Sequence, residues 1–230
     1  CTGDYVFTMG DDDGILPKQI PAMLTLLEKH KPDVLCWHVP QFLWYPDEDI
    51  PNKHTLRIRK SNVFGTAKLF DADRYKADLL ACRLKLLRPL PALYHGCASR
   101  NYLDNLRSDD GVLYNSAIHD YYMSYLFVLK GGRFLNSNHT FSVSGASPMS
   151  TGNDMNSSIK PNAKGSPGQQ YRFEVRKDVK KEPFDTTLGV SIAVFGALET
   201  ARLHLASKFG NPDSPNYGTW YSHVLYCIKD

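Results

Sequence analysis

The run Tyr5-Val6-Phe7-Thr8-Met9 stops at Gly10 and is followed at once by three aspartates, Asp11, Asp12 and Asp13. Five strand-forming residues after the turn-like Thr2-Gly3-Asp4 predict a buried strand that delivers its carboxyl end to an acidic loop. Open α/β sheets bind ligands beyond that end of their strands. Three adjacent carboxylates repel one another, so the loop needs either open solvent or a cation.

The next segments extend the same layering. Pro17 suits a first helical turn, and Ile20, Met23, Leu24 and Leu27 recur at helical spacing, predicting an amphipathic helix over 18–30 that Pro32 ends. Val34 to Val39 predicts a second strand. Strand, loop, helix, strand is the order of an α/β fold with a parallel or mixed sheet. Residues 40–64 carry Pro40, Pro46 and Pro51 and read as an excursion with one strand at Thr55 to Arg59. A helix is expected over 72–87, a short strand over Ala92-Leu93-Tyr94 before His95-Gly96, and a polar helix near 100–107. Ile118, Tyr121, Tyr122, Tyr125, Leu126 and Leu129 share one helix face, closed by Gly131-Gly132, with Asp120 in the first turn. Strands at Arg133 to Leu135 and Thr140 to Ser144 precede a Ser-, Asn-, Gly- and Pro-rich stretch from Gly145 to Gln170, read as a long loop. A charged segment, Arg172 to Lys181, leads to an apolar helix from Leu188 to Phe209. The expected division is a core over 1–150, a flexible polar loop or linker over 151–183 and a C-terminal helical extension over 184–230.

Composition narrows the function classes. With 230 residues, 42% of them hydrophobic, the chain can bury one sizeable core. Its formal charge of +3 is spread along the chain, which gives no nucleic-acid footprint. Five cysteines, Cys1, Cys36, Cys82, Cys97 and Cys227, are odd in number and form no C-x-x-C pair, arguing against a disulfide framework or zinc site and for a reducing, cytoplasmic setting. No apolar run reaches the roughly 18–20 residues of a membrane span. Lys177, Lys180 and Lys181 read as a solvated cluster, with peripheral attraction to a membrane surface as the minority alternative.

Hard oxygen ligands with room for water suit Mg²⁺ or Mn²⁺ bridging to a diphosphate, which is the chemical reading of Asp11, Asp12 and Asp13. The plainer alternative is a solvated turn or helix N-cap. Asp120, at the mouth of a tyrosine-packed helix, is placed to deprotonate an acceptor hydroxyl; from spacing alone, capping of that helix explains it slightly better. His119 is a neighbour in that site or a surface residue. His95 and His139 are each a metal ligand, a phosphate contact or neither. Trp37, Trp44 and Tyr45 offer sugar-stacking faces unless they belong to the core.

The segment Gly3-Asp4-Tyr5-Val6-Phe7-Thr8-Met9-Gly10-Asp11-Asp12-Asp13-Gly14-Ile15-Leu16-Pro17 resembles the "G-[ED]-Y-V…D-D-x-x-x-P" segment of family 2 glycosyltransferases. The resemblance covers about residues 1–150, including a strand-to-loop stretch at Ser144 to Ser150. It implies a GT-A fold: a Rossmann-related mixed sheet flanked by helices. It also implies that the base-binding strands lie upstream of Cys1, leaving the fold incomplete at the N-terminus. It implies a Mn²⁺ or Mg²⁺ ion on Asp12 with Asp13 assisting, and Asp11 near the ribose or sugar. His95, His119 and Trp37 are then candidate substrate contacts. Asp120 takes the place of the family's catalytic base, although the usual acidic pair is here His119-Asp120. The implied reaction is inverting transfer from a nucleotide-diphosphate sugar to a glycan or other hydroxyl acceptor.

Two other classes fit parts of the pattern. Asp11-Asp12-Asp13-Gly14-Ile15-Leu16 is similar to the D-x-D-G-T-L of haloacid-dehalogenase-type phosphatases, with Asp11 as nucleophile and Asp13 as acid, but with Ile15 where threonine belongs. A non-catalytic carbohydrate-binding remnant would keep sugar affinity without needing Asp120.

Overall fold

Val34, Leu35, Cys36 and Trp37 are all buried, and a strand apolar on both faces belongs in the middle of a covered sheet. In the computed structural model, which describes residues 2–44, 54–58, 65–83, 90–147, 183–184, 190–210 and 212–228, this segment is the central strand β3 (Val34–Trp37). Around it lie β1 (Tyr5–Phe7), β7 (Gly96–Ser99), β8 (Phe134–Ser137) and β6 (Ala67–Leu69), in the order β1-β7-β3-β8-β6. β3 pairs antiparallel with β7 and parallel with β8, and β7 pairs antiparallel with β1. Strands β1, β3 and β8 therefore point the same way.

Each of those three runs on into a second, four-stranded sheet, ordered β2-β9-β4-β5. The acidic loop carries β1 into β2 (Gly14–Ile15), a short turn carries β3 into β4 (Gln41–Leu43), and residues 138–141 carry β8 into β9 (Ser142–Ala146). β5 (Leu56–Arg57) closes the far edge, antiparallel to β4. The class is mixed α/β, as expected. One expectation changes: the strand at Tyr5 is a half-buried edge strand, not a buried one, because β7 covers only one of its sides.

Among the described residues there are six α-helices: α1 (Ile20–His30, entered through a 3-10 turn at Pro17–Gln19), α2 (Ala72–Leu80), α3 (Arg100–Leu106), α4 (His119–Lys130), α5 (Val190–Phe209) and α6 (Tyr217–Ile228). In α1 Leu27 is buried and Met23 and Leu26 are partly buried beside it, while Leu24 is 48% exposed, one position off the expected face. Helix α2 is capped by Asp71, which accepts a 3.0 Å bond from Arg74 N, and it ends by Cys82, whose φ of 54° breaks the repeat. Residues 84–89, to which the expected helix extended, lie outside the described residues.

Every residue of α4 from Tyr122 to Leu129 is buried, because α4 is covered by the sheet on one side and by α5 on another. Trp220 of α6 stacks on Phe195 of α5 at 5.1 Å and donates through Nε1 to the Leu79 carbonyl at 3.1 Å, so the C-terminal helices share the core of α2 and α4. Inside this contact His204 Nδ1 lies 2.8 Å from Tyr122 Oη and 2.9 Å from Asn115 Nδ2, and burial lowers its pKa. No helix among the described residues is long and apolar enough to cross a membrane. The expected polar loop lies mostly outside the described residues, as do the charged segment with Lys177, Lys180 and Lys181, and Tyr45.

Candidate active site

The acidic loop leaves the carboxyl end of β1 and is held by Tyr94, just before β7, and by β9. Thr8 bridges to Tyr94, donating to Leu93 O and accepting from His95 N, each at 3.2 Å. The peptide then turns through Gly10. Asp13 closes the turn: its Oδ2 accepts from Gly10 N at 2.6 Å and from Tyr94 Oη at 2.7 Å, and its Oδ1 accepts from Gly145 N at 2.7 Å. The Asp13 side chain is 1% exposed. Both oxygens are thus committed to protein donors, and the metal-binding role expected for Asp13 gives way to a structural one. A buried carboxylate survives only when its lone pairs are filled in this way.

Behind Asp13 lies a second layer. His95 Nε2 is 3.3 Å from Asp13 Oδ2, an ion-pair distance without hydrogen-bond alignment, and His95 Nδ1 is 2.9 Å from Ser142 Oγ. Trp37 Nε1 donates to the same Ser142 Oγ at 2.8 Å. The line Asp13, His95, Ser142 is not a nucleophilic triad, because Ser142 is wholly buried and no substrate reaches it. His95 and Trp37, expected as substrate contacts, both lie buried in this layer. Trp37 is a core residue lying against Phe7 and Phe141, and His95 is buried with a φ of 52° at the start of β7. His139 likewise ties down structure, its Nε2 lying 2.7 Å from Gln19 Oε1.

Asp11 is exposed and Asp12 part-buried beside this support. The Asp12 carbonyl accepts from Trp44 Nε1 at 2.9 Å, and Asp12 Oδ2 accepts from Ser147 N at 3.3 Å. Gly145 passes so close beneath that a Cβ there would lie 1.8 Å from the Asp12 carbonyl oxygen. Gly145→Ala is therefore expected to push the loop outward and cost about 1–3 kcal/mol as overpacking, read as a lower denaturant midpoint. At Gly10, Asp12 Oδ1 and Asp13 Oδ2 each come within 3.1 Å of where a Cβ would be, so the loop's oxygens crowd one point of the backbone.

Among the described residues no three His, Cys, Asp or Glu side chains gather as a metal cage. Mg²⁺ and Mn²⁺ sites that serve diphosphates use one or two carboxylates and complete their shell with phosphate oxygens and water. Asp12, with exposed Asp11 beside it, fits that kind of donor set.

Asp120 lies in the first turn of α4 and is 51% exposed. The N-cap of α4 is Ile118, which makes no side-chain cap bond, so Asp120 contributes charge at the helix start without capping it. His119 Nε2 is 3.2 Å from Asp120 Oδ1, and His119 is half exposed, so it is both a neighbour of Asp120 and a surface residue. The link to the acidic loop is electrostatic. Burial raises the Tyr94 phenol far above its usual range, with its bond to Asp13 next, and the charges of Asp12 and Asp120 raise it further. Burial also raises Tyr114; its hydrogen bond with the Thr8 side chain works the other way, and the Asp120 charge adds to the rise. Asp13 thus bonds the Tyr94 phenol, and the charges of Asp12 and Asp120, the latter more than a hundred residues from the acidic loop in sequence, reach it. Tyr94, Tyr114, Ser142 and the clamping role of Gly145 carried no local signal in the sequence, since each acts through a partner distant in the chain.

No protein-family model matches this chain, and no curated protein matches it at a significant level.

Proposed function

We propose that this chain carries the acceptor side of a metal-assisted glycosyltransferase site, transferring a sugar from a nucleotide-diphosphate sugar to an acceptor hydroxyl with inversion. The observation that carries this reading is the acidic loop at the carboxyl end of β1, with Tyr94 bonded to Asp13 and Asp120 near enough for its charge to act on Tyr94. Asp12, with Asp11, would hold Mn²⁺ or Mg²⁺, which when bound offsets the charge of the leaving diphosphate. Asp120 is exposed enough to meet an acceptor and accepts the hydroxyl proton as that oxygen bonds the anomeric carbon and the carbon–phosphate-oxygen bond breaks. His119 orients the Asp120 carboxylate. The cysteine pattern supports a cytoplasmic setting.

The phosphatase alternative needs Asp13 to donate a proton to a leaving group, and its burial under three hydrogen-bond donors weighs against that role. Titration calorimetry with UDP-, GDP- and TDP-sugars, with and without Mn²⁺, tests the reading. The expected result is binding of one donor class only with metal. Asp12→Ala should weaken it by more than the roughly 10- to 100-fold that loss of an outer partner of a metal ligand costs. Binding that ignores both Mn²⁺ and Asp12→Ala, or no binding of any donor, would overturn it.

A further inference from the structure

We propose that Tyr114 is the platform on which the acceptor sugar ring stacks; this rests on the transferase reading and assigns its acceptor side. A pyranose presents an apolar face of C–H bonds and a rim of hydroxyls, so its recognition calls for an aromatic face beside a carboxylate. Tyr114 supplies the first next to Asp120, which supplies the second.

Three observations single it out. Tyr114 is 39% exposed, whereas Tyr102, Tyr122 and Tyr125 are buried, and the neighbouring Leu113 already anchors this segment in the core. The ring is therefore not required as filler. The charge of Asp120 acts on its hydroxyl, which places the exposed ring near that carboxylate. Its other flank meets His119 edge-on, with ring centroids 5.9 Å apart at 89°, and His119 in turn touches Asp120. An aromatic ring held edge-on by a neighbour and open to solvent loses little freedom when a ligand stacks on it, which favours binding. Trp44, the other exposed aromatic of the site, is tied to Asp12 from the side of the second sheet, so the two rings serve different parts of the loop.

The test is saturation-transfer NMR with the methyl glycosides of glucose, galactose and N-acetylglucosamine, on the wild type, Tyr114→Phe, Tyr114→Leu and Tyr114→Ala. Tyr114→Leu keeps apolar bulk and guards against a mere folding defect. The expected result is saturation of at least one pyranoside by the wild type, kept by Tyr114→Phe and weakened about 5- to 10-fold in the leucine and alanine variants. With a donor in hand, the acceptor KM should rise by a similar factor at nearly constant kcat. If the wild type saturates no pyranoside, or Tyr114→Leu and Tyr114→Ala bind like wild type, the platform is overturned. Donor calorimetry reads out separately. Pyranoside binding that depends on Tyr114 without any donor binding leaves the platform standing on a carbohydrate-binding module and removes the transferase. Donor binding with pyranosides indifferent to Tyr114 removes the platform alone.

Discussion

Asp13→Ala is expected to lower the free energy of unfolding by about 3–5 kcal/mol, the range for breaking a buried, fully paired charge site. The substitution leaves the part-buried Gly10 and Gly145 amides and Tyr94 hydroxyl without their common acceptor. Each buried donor left unmatched costs about 1–3 kcal/mol, and local relaxation recovers part of the sum. Asp13→Asn should also destabilise, because its amide can accept from Gly145 but turns an NH₂ toward Gly10 and Tyr94. Denaturant unfolding of the two variants against wild type measures this. An alanine variant within about 1 kcal/mol of wild type, inside the ordinary range of point substitutions, would mean that the carboxylate does not hold the loop.

Asp120→Asn is expected to do the opposite. Half exposed and capping nothing, Asp120 should cost the fold no more than the 0.3–1 kcal/mol of a helix-terminus charge. Donor binding should stay within about 2-fold, while turnover falls by about 10²–10⁴, the usual contribution of a positioned base. Initial rates with saturating donor, set beside donor calorimetry and a melting curve, separate these effects. Turnover of Asp120→Asn within about 10-fold of wild type would remove Asp120 as the base. His119→Gln should cost less than Asp120→Asn, since it leaves the carboxylate in place.

The sequence was most legible where one short-range rule decided the outcome. Apolar residues at helical spacing before Gly131 predict α4 to within a residue, and the run at Val34 predicts the central strand, because helix amphipathicity and full burial are both local patterns. Reading failed where a partner decided. Ala92 to Tyr94 looks like a strand, yet the ladder begins at Gly96, since the left-handed turn at His95 directs Tyr94 to Asp13 and frees only the next residues to pair. Trp37 reads as a possible sugar face until Ser142, 105 residues away, is found beneath its indole nitrogen. Of the three aspartates, nothing local tells that Asp13 turns inward, because its acceptors' partners stand 81 and 132 residues away.

The passage of β1, β3 and β8 from one sheet into the next has a consequence for how such a site can change over generations. The acidic loop is a seam, stitched to the first sheet through Tyr94 and to the second through Gly145. An aspartate moved alone along the loop would lose both stitches, and a bulkier residue at 145 would tear the seam from the other side. Positions 13, 94 and 145 therefore form one heritable unit, free to drift together and not singly. Asp11, Asp120 and Tyr114, which hang from the seam without fastening it, are the places where a lineage can try new chemistry without risking the fold.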